Sequence, residues 1–141
     1  MTTVESSLRT ELAATAAVID SGNETLLLRY PIRLAFAADQ SALRPAFTVL
    51  LERLLRVLRS YDRIAVKVAV YTDAIGSEKF NEAQSLQRGE VIVTWLRERG
   101  IAARRLGVRA GGESAPVKAE NSPEGRDLNR RVEISFSVLS S

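Results

Sequence analysis

One acid and one arginine flank a turn and the start of a helix in the middle of this chain. Asp73 stands in the turn after an alternating apolar strand, and Arg88 stands among neutral residues in the helix that follows. If the turn folds back along the helix, which Gly76 permits, the backbone amides near Gly76 face the same space as both side chains. An aspartate accepts hydrogen bonds from an ammonium group, and an arginine binds a carboxylate through a bidentate fork. The pair therefore predicts a binding site for a zwitterion.

Each of these residues also has an ordinary structural interpretation. An aspartate in a turn before a helix usually makes turn or capping hydrogen bonds. Asn81 followed by Gln84 fits a capping box, which places the helix start close to Asn81. Arg88 fits a surface or salt-bridge role, and it can pair with Asp73 itself. Spacing alone does not decide between these interpretations and the zwitterion site.

Histidine and cysteine are both absent, and this restricts the chemistry of the chain. The commonest general base, serine–histidine triads, thiol nucleophiles and most zinc sites are removed together. Ser85 has no histidine to activate it, no close pair of acids suggests hydrolysis, and no carboxylates show metal-ligand spacing. We therefore predict no catalytic residue, no metal and no cofactor, and an enzyme is the weakest of the functional hypotheses.

The charge balance, the arginine pattern and the hydropathy argue against nucleic acids and against direct membrane insertion. Twenty basic and 17 acidic residues give a net charge of +3, which does not require a polyanionic partner. The arginines on the helix that starts near Pro45 have no interleaved aromatic residues, so we predict no nucleic-acid binding. No apolar run of about 18 residues and no signal-peptide pattern occur, so we expect membrane attachment only through a segment outside this chain.

The first residues predict a helix that precedes the main domain. Apolar residues recur at helical spacing from Leu8 to Ile19, and the pattern stops at residues 20–23, which include a glycine. This helix either packs on the domain or leads in from an upstream linker. We assign residues 1–24 to the N-terminal helix and lead-in, and residues 25–139 to the domain.

The rest of the chain predicts four strands and two core helices. Strands are expected at 26–36, 64–70, 106–110 and 132–138, with helices at 45–58 and from Asn81 to near Gly100. Pro31 predicts an edge position or a break in the first strand. Residues 111–127 are too polar and too interrupted by glycine and proline for regular structure. The order β-α-β-α-β-β predicts an α/β two-layer sandwich, with a mixed four-stranded sheet, helices on one face and an extra N-terminal helix.

Four sequence blocks occur in a fixed order. They are T-D-A-I-G-S-x-x-F-N from Thr72, S-x-x-R ending at Arg88, G-G-E-S-A-P at 111–116 and G-R-D-L-N-R-R-V-E-I at 125–134. Together they resemble the OmpA-like peptidoglycan-binding domain, a family that includes the C-terminal domain of OmpA, the Pal lipoproteins and the periplasmic part of flagellar stator proteins. Phe36, followed by Ser41, Leu43 and Pro45, resembles the family's opening block. The resemblance covers roughly residues 26–138.

This resemblance implies a function and a set of site residues. Members of the family bind the peptide stem of peptidoglycan without cleaving it, through diaminopimelate, whose side-chain end is a zwitterion. Asp73 matches the family's ammonium-binding aspartate, and Arg88 matches its carboxylate-binding arginine. Thr72, the turn amides near Gly76, and Asn81 match the supporting wall. The resemblance also implies a periplasmic location, with peptidoglycan and envelope proteins as partners.

Several positions depart from the family pattern. The family usually has leucine where Gln84 stands, alanine where Gly89 stands, aspartate where Ala37 stands and tyrosine where Gly111 stands. We interpret Gly89 as a position that permits close packing. The first hypothesis is a module that tethers the cell wall to an envelope protein or membrane. The second is a protein-interaction module that keeps the fold with weak or no wall binding.

The arginines of the last block have a structural interpretation. We expect Arg126, Arg130 and Arg131 to pair with acids such as Glu113 or Asp127, and to fix the preceding loop on the last strand. Contact with acidic groups of the wall is a secondary role for them.

Overall fold

The computed structural model describes residues 2–22, 24–37, 42–72, 77–112 and 129–139. Within them the helices are α1 (Thr2–Glu11), α2 (Ile32–Ala35), α3 (Pro45–Ser60) and α4 (Glu78–Glu98), with a 3₁₀ turn at Ala103–Arg105. The strands are β1 (Val18–Ser21), β2 (Leu26–Pro31), β3 (Ile64–Tyr71), β4 (Leu106–Gly112) and β5 (Arg131–Val138). Of the loop predicted at 111–127, the first two residues belong to β4, and the remainder lies outside the described residues.

The strands form one mixed sheet in the order β1-β2-β5-β3-β4. Only β3 and β4 run parallel among these neighbours, and they are joined through α4. Leu28, Ile134, Val68 and Val108 lie side by side across the four longer strands. The predicted α/β sandwich with a mixed sheet is confirmed, but the sheet has five strands and not four.

One face of the sheet forms the core. Its inward side chains alternate with polar residues along β5 and mostly with alanine or polar residues along β3, as expected for a sheet with one face in the core. The buried residues of this face are Leu26, Leu28, Tyr30, Ile64, Val66, Val68, Val70, Val132, Ile134 and Phe136. Helix α3 contributes an apolar stripe to the same core, and α4 packs on β3 and β4. The opposite face carries Arg29, Lys67 and Ser135, which stay partly or fully exposed.

The N-terminal helix is shorter than predicted. It ends at Glu11, and Thr15 turns the chain: its backbone amide and its hydroxyl both donate to the carbonyl of Leu12, at 3.0 and 2.7 Å. The β-branched residues Val18 and Ile19 then pair with β2 as the extra strand β1. Of the two alternatives for the first helix, the structure shows packing on the domain, because Leu8 is fully buried in the main core.

The first predicted strand is also divided in two. Strand β2 ends at Pro31, and residues 32–35 form the short helix α2. Pro31 has no amide hydrogen to extend the ladder, and the amide of Ile32 instead donates to the carbonyl of Arg130 at 3.1 Å. The break predicted at Pro31 is confirmed. None of the described helices combines the length and the apolar composition that a bilayer crossing requires.

Candidate ligand-binding site

Several strand ends meet at one end of the sheet. Strands β2 and β3 finish at Pro31 and Tyr71, and both residues pair with Arg131, the first residue of β5. Thr72 follows β3 directly, and Asn129 lies two residues before β5; both side chains are buried. Buried polar side chains are uncommon in a core, so Thr72 and Asn129 indicate that this end of the sheet is polar inside.

Two of the predicted site residues lie outside the described residues. They are Asp73 and Gly76, in the segment 73–76 between β3 and α4. Their distances to Arg88, and the fold of the turn along the helix, therefore stay predictions.

Helix α4 begins earlier than the sequence predicts. Ser77 is its N-cap, and the Ser77 hydroxyl accepts a hydrogen bond from the amide of Phe80 at 3.1 Å. Asn81 already lies inside the helix, with its amide donating to the Ser77 carbonyl at 3.0 Å. The predicted capping box at Asn81 and Gln84 is therefore wrong, because a serine four residues upstream takes the cap. Arg88 consequently lies about 16 Å along the axis from the cap, and not about 10 Å.

The buried side chains on the inward face of α4 change from polar to apolar along the helix. Asn81, Ser85 and Arg88 are only 5, 0 and 8% exposed, and the stripe continues in the apolar Ile92 and Leu96. Residues three or four apart share one face of a helix, so these five side chains point the same way. The first half of α4 thus presents a polar buried surface, and the second half completes the apolar core.

Arg88 lies against an aromatic ring. Its guanidinium carbon is 5.5 Å from the centroid of Phe36, the residue at the C-cap of α2. The structure therefore brings together the segment after β2 and the middle of α4, which are 52 positions apart in the sequence. A guanidinium near an aromatic ring is attracted through its charge, and its planar N–H donors suit a carboxylate.

Ser85 is a buried polar residue that sequence reasoning did not assign to the site. Its hydroxyl donates to the Glu82 carbonyl at 2.9 Å, a bond within the helix. The signal that identifies it is the spacing of Asn81, Ser85, Arg88 and Ile92, which places a serine on the inward face.

Arg131 is the second buried arginine near this end, and it has a structural environment. Its Nε donates to Glu133 at 2.7 Å, and its guanidinium carbon lies 4.1 Å from the centroid of the Tyr71 ring. The sequence predicted an ion pair for this residue, but the acid observed is Glu133, on its own strand. The acids named for it, Glu113 and Asp127, lie outside the described residues.

Gly89 sets the distance between α4 and the sheet. A Cβ atom at this position would lie 2.8 Å from Cγ1 of Val108 on β4, closer than side chains tolerate. The interpretation of Gly89 as a close-packing position is confirmed. In the described part of the chain, no group of three or more acids, histidines or cysteines is placed to hold a metal ion.

Comparisons with known proteins agree with this architecture. The sequence profile of the OmpA family matches residues 35–130. The chain is 30% identical over 135 residues to the "Probable lipoprotein YiaD" of Escherichia coli K12, covering 96% of this chain and 62% of that protein. It is 36% identical over 101 residues to the "Peptidoglycan-binding protein ArfA" of Mycobacterium tuberculosis H37Rv, covering 72% of this chain and 31% of ArfA. The chain thus spans less than two thirds of either relative.

A solved structure shows the same fold over nearly the full length. The cell wall anchor of the T6SS from Pseudomonas aeruginosa is similar with a TM-score of 0.80 at 24% identity, covering 98% of this chain and 97% of that chain. The N-terminal helix and the extra strand β1 therefore fall within the shared fold.

Proposed function

This chain belongs to the OmpA family, and on that premise we propose that it binds peptidoglycan without cleaving it, through the diaminopimelate zwitterion of the stem peptide. The observation that carries the proposal is the buried polar stripe of Asn81, Ser85 and Arg88, at the end of the sheet where β3 leads into Asp73. Buried polar and charged side chains are uncommon on the inward face of a helix, so such a stripe is consistent with a binding surface. The relative ArfA, named as a peptidoglycan-binding protein, supports the same ligand.

The two charged ends of the ligand are assigned to two residues. Arg88 binds the carboxylate with its guanidinium edge, and Asp73 accepts hydrogen bonds from the ammonium group. Thr72, the amides near Gly76, and Asn81 form the wall between them. No covalent step is required, since binding consists of ion pairing and hydrogen bonding alone.

The biological role is to hold the cell wall from a protein of the envelope. The family domain, residues 25–139 with the lead-in 1–24 packed on it, acts in the periplasm. A segment outside this chain attaches it to a membrane or to envelope partners. The relative YiaD, named as a probable lipoprotein, supports a membrane-attached setting.

A protein-interaction module with weak wall affinity is the second candidate. It is favoured by changes close to the site: Ala37 follows the ring that contacts Arg88, and Gln84 flanks the buried stripe on α4. Both positions differ from the family pattern, so the surroundings of the two charged residues are altered.

Co-sedimentation with purified diaminopimelate-type sacculi tests the proposal. The parent protein is compared with Asp73→Ala and Arg88→Ala, each checked for folding by circular dichroism. Arg97→Ala is the matched control, because Arg97 is an exposed arginine in the last turn of the same helix. Free diaminopimelate is added as competitor.

The expected result is that the parent and Arg97→Ala sediment with the sacculi and are displaced by diaminopimelate, whereas the two site variants stay in solution. Failure of the parent to sediment would favour the protein-interaction module. Sedimentation of both folded site variants at the level of the parent would remove Asp73 and Arg88 from the site.

A further inference from the structure

We propose that Phe36 is a positioning residue, whose ring attracts the guanidinium of Arg88 and restricts it to orientations in which N–H donors point toward a ligand carboxylate. The inference rests on the proposed function and extends it to a residue that does not itself contact the charged groups of the ligand. It starts from one contact: the guanidinium carbon of Arg88 lies 5.5 Å from the centroid of the Phe36 ring, within the range of cation–π attraction.

The backbone of Phe36 is fixed on both sides. Its amide donates to the carbonyl of Ile32 at 2.9 Å and closes α2, and its carbonyl accepts a hydrogen bond from Nε of Arg44 at 3.0 Å. It also forms an isolated bridge with Leu43. Because the backbone of Phe36 is held by these hydrogen bonds, the position from which its side chain extends is fixed.

The ring of Phe36 is fixed as well. It is 2% exposed, and its centroid lies 6.4 Å from that of Phe47, which in turn lies 5.0 Å from the ring of Tyr30. The three rings form a row from strand β2 to Arg88. Tilted aromatic pairs at these distances are favourable, so Phe47 and Tyr30 restrict the motion of the Phe36 ring, which lies next to the guanidinium.

The charge of a guanidinium and its N–H donors serve different interactions. The Phe36 ring attracts the delocalised positive charge, whereas the five N–H donors lie in the guanidinium plane and make directional hydrogen bonds. A cation held in one orientation loses less side-chain entropy when a carboxylate binds, and this raises affinity without a new contact to the ligand. Arginine is among the side chains that lose the most entropy on ordering, so holding Arg88 in advance has a large effect on affinity.

Fluorination of the ring separates cation–π attraction from packing. Trifluoro- and then pentafluorophenylalanine at position 36 withdraw electron density from the ring face with little change in shape. Phe136 is the matched control, because it is equally buried but pairs with Leu26 and Val66 toward the other end of the sheet. The measurements are the affinity for diaminopimelate and the NMR order parameter of the Arg88 Nε–H group in the ligand-free protein.

The expected result is a stepwise fall in both quantities at position 36, with about three- to tenfold weaker binding at the pentafluoro ring, and no change at position 136. An order parameter and an affinity that do not respond to fluorination at position 36 would overturn the inference, as would an equal response at position 136. If the parent does not bind diaminopimelate, the proposed function fails, and the order parameter of the free protein still decides whether Phe36 holds Arg88.

Discussion

Three arginines are buried among the described residues, and each has a different environment. Arg105 is enclosed by backbone carbonyls, with Nε donating to Ile64 at 2.9 Å and Nη2 donating to Leu58 and Tyr61 at 2.9 and 2.8 Å. Arg131 pairs with an acid, and Arg88 lies against the Phe36 ring. The same residue type thus bonds to backbone carbonyls in one place, pairs with an acid in another and lies near an aromatic ring in the third.

Replacing Arg88 by lysine tests whether the fork of the guanidinium is required. Arg88→Lys keeps a positive charge but loses the planar array of N–H donors. We expect sacculus binding about tenfold weaker, equivalent to about 1.4 kcal/mol, with the circular dichroism spectrum of the parent. Arg97→Lys, at the exposed end of α4, is expected to bind as the parent does. Equal binding by Arg88→Lys would show that a point charge is sufficient.

Replacing Arg105 by methionine tests a purely structural arginine. Burial lowers the pKa of Arg105 from its ordinary value, and the three carbonyls compensate the buried charge. Arg105→Met removes these three hydrogen bonds, and we expect urea unfolding to show a loss of about 2–4 kcal/mol in the free energy of unfolding. The exposed neighbour variant Arg104→Met is expected to change it by less than about 0.5 kcal/mol. Similar stabilities for the two variants would contradict this assignment.

At the scale of elements, α4 carries both the site and part of the core. Its N-terminal half presents Asn81, Ser85 and Arg88, and its C-terminal half buries Ile92 and Leu96. Gly89 stands at the junction, where the helix approaches Val108 on β4. The close approach of the helix to the parallel pair β3 and β4 therefore fixes the height of Arg88 above the sheet.

A double-mutant cycle measures this close approach. Alanine favours a helix over glycine by about 1 kcal/mol, but at position 89 its Cβ meets the stiff side chain of Val108. We expect Gly89→Ala alone to lower the free energy of unfolding by about 1 kcal/mol, within the usual cost of overpacking. In a Val108→Ala background, the same change is expected to raise it by about 0.5–1 kcal/mol. Additive effects of the two substitutions would rule out the steric contact.

The N-terminal helix is expected to contribute to the stability of the whole domain. Leu8 is fully buried against the main core, whereas Leu86 on α4 is 41% exposed. Leu8→Ala should lower the free energy of unfolding by about 2–5 kcal/mol, and Leu86→Ala by less than about 1 kcal/mol. Thermal and urea unfolding provide the measurement. A small effect of Leu8→Ala would show that α1 is not held on the domain in solution.

The sequence predicted the class of each long element but not where some of them end. The apolar spacing from Leu8 to Ile19 fits one helix, yet the helix ends before the turn at Thr15, and a strand follows the turn. The alternation of β2 continues past Pro31 into α2, because a helix of four residues is too short to show a period of its own. Ser77 and Asn81 are both good caps, and only the tertiary structure decides between them.

In the candidate site too, the sequence predicted individual residues but not the contacts between distant parts of the chain. Arg88 was predicted from its position in a helix and from the family blocks. Its contact with Phe36 joins the C-cap of α2 to α4, with α3 and β3 between them in the chain, and no local pattern contains that contact. The buried role of Ser85 follows from helical spacing once the inward face of α4 is known.

At the scale of the whole molecule, the proposed binding site and the buried Arg105 lie at opposite ends of the sheet. The polar residues lie where β2 and β3 end, whereas Arg105 fastens the opposite end, where α3 and β3 meet. The eight residues of β3 put about 23 Å between these ends. Arg88 and Asn81 stand on a helix packed against the sheet, and side chains on such an element keep their geometry better than side chains on loops, as the proposed recognition of two opposite charges requires.

The most direct test of zwitterion recognition compares three ligands that differ by one charged group. A stem peptide with diaminopimelate carries both charges at its side-chain end, a lysine peptide lacks the carboxylate, and a pimelate peptide, with 2-aminopimelate at the same position, lacks the ammonium group. Calorimetric affinities are measured for the parent, Asp73→Ala and Arg88→Ala. We predict that the parent prefers diaminopimelate to both analogues, that Arg88→Ala no longer distinguishes it from lysine, and that Asp73→Ala no longer distinguishes it from pimelate. Equal affinity of the parent for all three peptides would contradict the account.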